Sequence, residues 1–562
     1  MSEYDLVIRG GTIVDGTGIP RYRGDLAIKD GKIAKTSGRI NAAGAKEIDA
    51  SDCIVAPGAV DLHTHYDAQV QWDPYCTLSG WSGVTSLTIG QCGFGFAPTR
   101  PEDRDLNMRM MNRVEAIPLE SMRLGMRWDW ESFPEYLDSL DSQGLGLNIG
   151  ALFPFSPMRG YVLGMMEARE RTSVTDAELN QMKQLTHEAM KAGAFGFSAN
   201  KNKEDRPEDG GNLPSHVASD EEFLAMSEVL GEFGVGHLGW TIGIADDVEG
   251  NYELLEKMVR ISGRQCHVVL GLDDMKGYEW LAKVRAEGLP VLSQETSMQG
   301  YEMFKLAEFN LYDYMPNWVQ PLVGTPEERA AKLRNPDIRP AMKQDVEDFP
   351  MMGRTDWTQV KVLEVVHERN YKYEGLSIAE VAQAEGKHPV DAFLDLSLDE
   401  DLETWFSLFA LPENIAEAHA EIIKDPHTHI SLSDGGAHTR FLADAVWPIY
   451  FLSHWIRDKE LMTLEQAHYK MSTLPAWLAD FTNRGTLRIG DWADIIVYNM
   501  DELGFLYDRP EFANDYPGGE RRLIQKPTGL RYTVVNGTVT FEDNDCTGAL
   551  PGKLLRSYDM VN

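Results

Sequence analysis

The stretch Val60-Asp-Leu-His-Thr-His-Tyr-Asp-Ala-Gln69 leaves an apolar run, Ile54-Val-Ala-Pro-Gly-Ala-Val60, and passes through two histidines one residue apart. Residues i and i+2 of a β-strand point to the same side. His63 and His65 can therefore place both imidazoles on one cation at a strand's carboxyl end. Two ordinary polar residues at a strand end would show the same spacing. Delivery through a buried strand, with Asp61 and Asp67 flanking the pair, favours the metal site.

Both ends of the chain read as β-structure. Tyr4 to Val14 predicts two short strands around Gly10-Gly11, and Asp25 to Ile33 repeats the pattern around Asp30-Gly31. Ala493 to Tyr498 and Tyr532 to Phe541, the latter with an Asn536-Gly537 turn, supply matching strands at the far end, so the two ends are expected to form one small sandwich. Between them strands alternate with helices, the pattern of βα units and a parallel sheet. Thr175-Asp-Ala-Glu178 and Ser219-Asp-Glu-Glu222 are capping boxes that open helices ahead of strands near Ala194 to Asn200 and Val235 to Trp240. Strands one to eight are read near His63, Val84, Leu147, Phe195, Val235, His267, Val291 and His429. The segment from about Tyr301 to His419 is longer than a crossover needs and reads as a helical excursion, with a helix start at Thr325-Pro-Glu-Glu328.

Composition narrows the partners. A chain of 562 residues exceeds what one core usually organises, which predicts a large domain with a smaller module. Lys and Arg number 53 against 88 Asp and Glu, a net charge of −35 that disfavours nucleic acid and anionic membranes. Cys53, Cys76, Cys92, Cys266 and Cys546 are an odd, scattered set, which argues against a disulfide framework and for a reducing compartment, the cytoplasm. The N-terminus has no basic region followed by an apolar one, and the longest apolar run, near Val446 to Ile456, is too short to span a bilayer.

His63-Thr-His-Tyr-Asp-Ala68 resembles the first barrel strand of the amidohydrolase superfamily, in particular its D-aminoacylase (N-acyl-D-amino-acid deacylase) branch. The likeness covers most of the chain and is weakest between about Tyr301 and Pro426. It implies an α/β fold: a metal-dependent, TIM-like (β/α)8 barrel over residues 58–484 with an insertion around 301–419, and a small β-sandwich domain formed from residues 1–57 and 485–545. Gly490-Asp-Trp-Ala-Asp494 matches the family's Gly-x-x-Ala-Asp signature in that small domain.

The resemblance also implies a ligand set at the carboxyl ends of the strands, where barrel enzymes place their chemistry. Gly90-Gln-Cys-Gly93 matches the branch's Gly-x-Cys-Gly motif, which makes Cys92 the expected thiolate ligand rather than an inert buried thiol. His237 in Val235-Gly-His-Leu-Gly-Trp240 and His267 in Gln265-Cys-His-Val-Val269 match the further histidine ligands on strands five and six. Cys266 would then point away by alternation. Asp434, in His429-Ile-Ser-Leu-Ser-Asp-Gly-Gly-Ala-His438, matches the aspartate that the superfamily uses as metal neighbour and proton shuttle. Other branches bridge two metals with a carboxylated lysine at the end of strand four, where Lys201 stands; a solvated loop or a substrate contact fits Lys201 as well.

These expectations amount to hydrolysis of an amide C–N bond assisted by one or two zinc ions, with Asp434 as base and then acid. Hydrolysis of a cyclic amide, ureido or carbamoyl group is the rival within enzymes. A catalytically inactive barrel acting as a scaffold is the rival outside them, and the filled ligand positions speak against it. D-Aminoacylases carry cations just after the histidines of strands five and six, where this chain has Leu238-Gly-Trp240 and Val268-Val269. The expected substrate is therefore a small-molecule acyl amide, more hydrophobic than a simple N-acetyl-D-amino acid, with Lys201, Trp240, His438 and Arg440 as candidate contacts. Association into a homo-oligomer is left open.

Overall fold

The structure is a computed structural model that describes residues 2–242, 248–272, 274–308, 311–351, 353–411, 413–506 and 510–560. It is an α/β protein in which the two ends of the chain meet. Strands Tyr4–Ile13, Tyr22–Lys29, Lys32–Ser37, Gly44–Asp49 and Ile54–Pro57 share one nine-stranded sheet with Ile495–Tyr498, Leu530–Val535, Thr538–Glu542 and Asp545–Cys546. The join is antiparallel, between Ile54–Pro57 and Ile495–Tyr498. Asp30 and Gly31 turn with φ of 50° and 76°, and Asn536 and Gly537 with 46° and 77°, the paired left-handed residues that a two-residue hairpin turn requires. Gly10-Gly11 is different. Tyr4–Ile13 is one continuous strand, and the glycines form a bulge that shifts its register against Tyr22–Lys29. Gly10 donates its N–H to Asp25 Oδ1 at 2.8 Å, and partners on both edges hold the strand extended where the sequence predicts a turn.

The middle of the chain builds two parallel sheets. Ala59–Asp61, Val84–Ile89 and Asn148–Ala151 form one; Phe153–Pro154, Gly196–Asn200, His237–Thr241, Gln265–Val269, Val291–Gln294 and Thr428–His429 form the other. These are strands one to eight, with strand three divided at Leu152. Leu152 N–H donates to Ile89 O and Phe195 N–H to Ala151 O, both at 2.9 Å, so strand three belongs to both sheets. On the other side Leu62 N–H donates to Ser431 O at 3.2 Å, His65 N–H to Gly435 O at 2.7 Å and Asp434 N–H to His63 O at 3.1 Å. These bonds set His63, His65 and Asp434 side by side.

Capping decides where the intervening helices begin. Thr175 Oγ1 accepts from Glu178 N–H at 3.3 Å while Glu178 Oε2 accepts from Thr175 N–H at 2.7 Å, which opens Asp176–Ala192. Thr325 and Glu328 do the same for Pro326–Leu333, with proline at the first helical position. Asp494 of the Gly-x-x-Ala-Asp segment pairs with buried Arg484 and accepts from Asn536 N–H at 2.8 Å and Asn148 Nδ2 at 3.2 Å, tying the terminal sheet to strand three.

Two further features lie outside the sequence reading. Residues 301–419 are not helical alone: Tyr301–Phe304, Trp405–Phe409 and Lys361–Glu364 make a three-stranded antiparallel sheet over a separate core that includes Phe304, Tyr312, Trp318, Phe393 and Phe406. Each strand there is short and finds its partner far away in sequence. The C-terminal tail returns to strand three, where Ile149 N–H donates to Lys553 O at 2.9 Å and Leu555 N–H to Ile149 O at 2.8 Å. Among the described residues no helix is long and apolar enough to cross a membrane.

Candidate metal centre

His63 and His65 follow strand one, and the turn after strand two carries Cys92; their donor atoms all lie within 4.8 Å of one another, and all three residues are buried. His63 Nε2 is 3.2 Å from Cys92 Sγ. Gly90 and Gly93 allow this approach: both have left-handed φ, and a Cβ on Gly90 would stand 2.4 Å from Leu152 O. Cys92 itself (φ 54°) and Asp434 (φ 51°) are in the same sparsely populated region, which side chains tolerate only where the surroundings hold them.

The two histidines are oriented alike. His63 Nδ1 faces Gln294 Oε1 at 3.2 Å, and His65 Nδ1 faces Glu115 Oε1 at 3.7 Å. Both Nε2 atoms turn to the opposite side, 3.4 Å and 3.6 Å from Asp434 Oδ1. The acceptor behind His63 favours the tautomer that leaves its Nε2 free to ligate, while behind His65 the Glu115 carboxyl stands beyond hydrogen-bond distance. Thr241, at the end of strand five, brings its hydroxyl to 3.2 Å from Cys92 Sγ.

Burial alone would push the Cys92 thiol up, yet His63 and His65 beside it bring it down to about 6. Burial disfavours the charge on His63, but the Cys92 sulfur and Asp434 raise it to about 9. Removal from water works against the Asp434 carboxylate, and the facing imidazoles of His65 and His63 nevertheless hold it well below the usual carboxylate range. Burial pushes Glu115 up to about 8 against the pull of His65. Two imidazoles and a thiolate on one point are a borderline-soft donor set that fits zinc, with Asp434 beside them. The residues present fit a metal ion.

His237 and His267 are not brought to this group. His237 is the first residue of strand five, four positions before Thr241, which at about 3.3 Å per residue puts it roughly 13 Å short of the carboxyl end. His267 sits in mid-strand, in register with Gly239. The two rings stack on each other at 4.5 Å between centroids, and His267 meets the edge of His429 at 4.8 Å. The sequence places a histidine on each strand but not at which height it stands; Thr241 and Val269 occupy the ends. Cys266 is buried in the main apolar core.

A cleft of about 250 Å³ opens over Asp434 and His438. Lys201 and Arg440 do not line it. Lys201 Nζ pairs with Asp220 at 3.1 Å and lies over the Phe223 ring, away from the histidines. Arg440 faces Glu520 at 3.8 Å beside a neighbouring hollow. Trp240 packs on Phe223 at 5.3 Å, because alternation along strand five sends it to the helix layer. Charged side chains make up most of the cleft wall. Arg113 pairs with Asp313 at 2.8 Å and Arg354 with Glu302 at 2.6 Å; Arg206 donates to Asn212 Oδ1 at 3.2 Å and has no carboxylate partner among the described residues. Among the described residues Trp240 does not form the expected apolar pocket, since it packs on Phe223. Glu115, Gln294 and Thr241 escaped the sequence reading because no motif marks them.

Comparison with known proteins finds relatives that span nearly the whole chain. The chain is 30% identical to an uncharacterized protein of Mycobacterium tuberculosis, over 97% of this chain and 93% of that one. It is 25% identical to a D-aminoacylase of Alcaligenes xylosoxydans xylosoxydans, over 98% and 97%. Among solved structures it resembles an N-acyl-D-glutamate deacylase from Bordetella bronchiseptica, complexed with zinc and a phosphonate inhibitor, with a TM-score of 0.65, 24% identity and coverage of 98% and 99%. It also resembles a D-aminoacylase structure, with a TM-score of 0.66, 20% identity and coverage of 98% and 100%. The profile of the amidohydrolase family matches residues 46–541, and with the cluster of His63, His65 and Cys92 at the strand ends this chain belongs to the amidohydrolase family.

Proposed function

We propose that this protein is a zinc-dependent hydrolase of amide C–N bonds, of the N-acyl-D-amino-acid deacylase kind. The observation that carries the reading is Asp434 Oδ1, 3.4 Å and 3.6 Å from the Nε2 atoms of His63 and His65 at the floor of an open cleft. In this reading strands one to eight make a closed (β/α)8 barrel over residues 58–484, and residues 1–57 and 485–545 a β-sandwich beside it.

His63, His65 and Cys92 would hold the ion. A zinc ion there supplies Lewis acidity to the substrate carbonyl and to an attacking water. Asp434, kept ionised by the imidazoles facing it, accepts the water's proton and returns it to the leaving nitrogen, the base-then-acid sequence that amide cleavage requires. His438 lines the cleft beside Asp434 and meets the substrate there. Arg206, in the cleft wall and unpaired by any described carboxylate, supports a substrate with a free carboxylate over the more hydrophobic acyl amide.

Elemental analysis and a hydrolysis panel test this together. The parent should carry stoichiometric zinc that Cys92→Ala loses, and should cleave N-acyl-D-amino acids faster than their uncharged amides or apolar anilides. A preference for the amides by about 100-fold, roughly 2.7 kcal/mol, would return the reading to a hydrophobic substrate. Active protein without transition metal would end the metal reading.

A further inference from the structure

Glu115 is 3% exposed and is the C-cap of helix Arg104–Val114, where the carbonyl end of the helix repels a carboxylate. Among the described residues neither lysine nor arginine pairs with it; both of its oxygens face histidines. Oε1 is 3.7 Å from His65 Nδ1 and Oε2 is 3.6 Å from His438 Nε2. The backbone repeats the link, because His438 N–H donates to Glu115 O at 2.6 Å. Ala116 (φ 51°) and His438 (φ 57°) are both left-handed, so the two segments meet by conformations that side chains seldom adopt. A buried carboxylate placed against a helix dipole destabilises the fold unless its partners are cationic or donate hydrogen bonds. Both partners here belong to the site, one as a ligand and one as part of the cleft wall.

We propose that Glu115 is a positioning residue that serves two histidines at once: through Oε1 it orients His65 toward the metal, and through Oε2 it carries His438 into the substrate cleft. The inference rests on the metal-dependent reading above. Glu115 is neither one of the cluster's three donors nor part of the cleft lining. His65 can offer only one ring nitrogen to the cluster, and the Glu115 carboxyl group standing behind the other limits how the ring can turn. The same group fixes the ring of His438, so that metal retention and substrate handling depend on one side chain.

The test measures zinc affinity by competition with a chromophoric chelator, and turnover at saturating zinc, in the full-length parent, Glu115→Gln, His438→Ala and the double variant. Glu115→Gln is expected to weaken zinc binding about 10- to 100-fold. His438→Ala should leave zinc affinity within about threefold of the parent and lower turnover. The double variant should turn over no more slowly than Glu115→Gln alone, because His438 is positioned through Glu115. If Glu115→Gln does not fold, Glu115→Asp keeps the carboxyl group, withdraws it from both rings and should show both losses in smaller measure. Zinc affinity within about threefold of the parent in a folded Glu115 variant, or losses that multiply in the double variant, would overturn the proposal. A parent that binds no zinc would instead overturn the metal reading itself.

Discussion

Gln294 Oε1 lies 3.2 Å from His63 Nδ1, and the same amide donates through Nε2 to Ser431 O at 3.0 Å. The donation to Ser431 fixes which end of the amide the imidazole meets. Gln294 therefore presents a carbonyl to His63, Nδ1 keeps its proton, and Nε2 is left for the cluster. Gln294→Leu should weaken zinc binding about 10- to 100-fold while helix content stays as in the parent. Chelator competition on the folded variant reads this directly, and an affinity equal to the parent's would show that the amide does not orient the ring.

Asp434→Asn keeps the shape of the side chain and removes its capacity to take a proton. Turnover should fall by about 10² to 10⁴ with zinc largely retained. A loss of less than about tenfold at full zinc occupancy would take Asp434 out of the proton transfers.

His237 stands away from the cluster with both ring nitrogens buried and without hydrogen-bond partners among the described residues. Replacing an unsatisfied polar ring by an apolar side chain removes a cost of about 1–3 kcal/mol, against some loss of packing on His267. His237→Leu should accordingly leave zinc stoichiometry unchanged and the melting temperature level or higher. Loss of zinc in this variant would restore His237 to the ligand set.

Glu295, just beyond strand seven, is 5% exposed, and burial pushes its carboxyl up to about 8 although Tyr278 donates to it at 2.7 Å. The folded protein then keeps a proton that the unfolded chain releases near its ordinary value of 4.5. The folded state binds more protons across that window, so this group's contribution is fully present below about pH 4.5 and is lost as pH rises toward 8. Thermal melts of the parent and Glu295→Gln should diverge by several degrees between about pH 5 and 8, with the parent falling. A constant gap across the range would place the titration elsewhere.

Much of the protein is legible in residue order. Apolar runs and capping residues such as Thr175 with Glu178 depend on neighbours a few positions away, so they announce themselves locally. The same holds for the Asp30-Gly31 and Asn536-Gly537 turns, and for His63 and His65, whose alternation needs no distant partner, whereas Cys92 is singled out only by its family resemblance. Gly10-Gly11 misled for the complementary reason: the chemistry of a turn was present, but strands paired on either side made it a bulge.

What the sequence by itself determined is the order of the parallel strands and the helices between them, the meeting of the two ends, and the placing of His63 and His65 beyond the first of those strands. Only the tertiary structure decided the height at which each strand's histidine sits, because register depends on partners that local pattern does not encode. It therefore set His237 and His267 into a buried stack, sent Trp240 to the helix layer, and brought Gln294 and Glu115, from distant segments without a motif, behind the rings of His63 and His65.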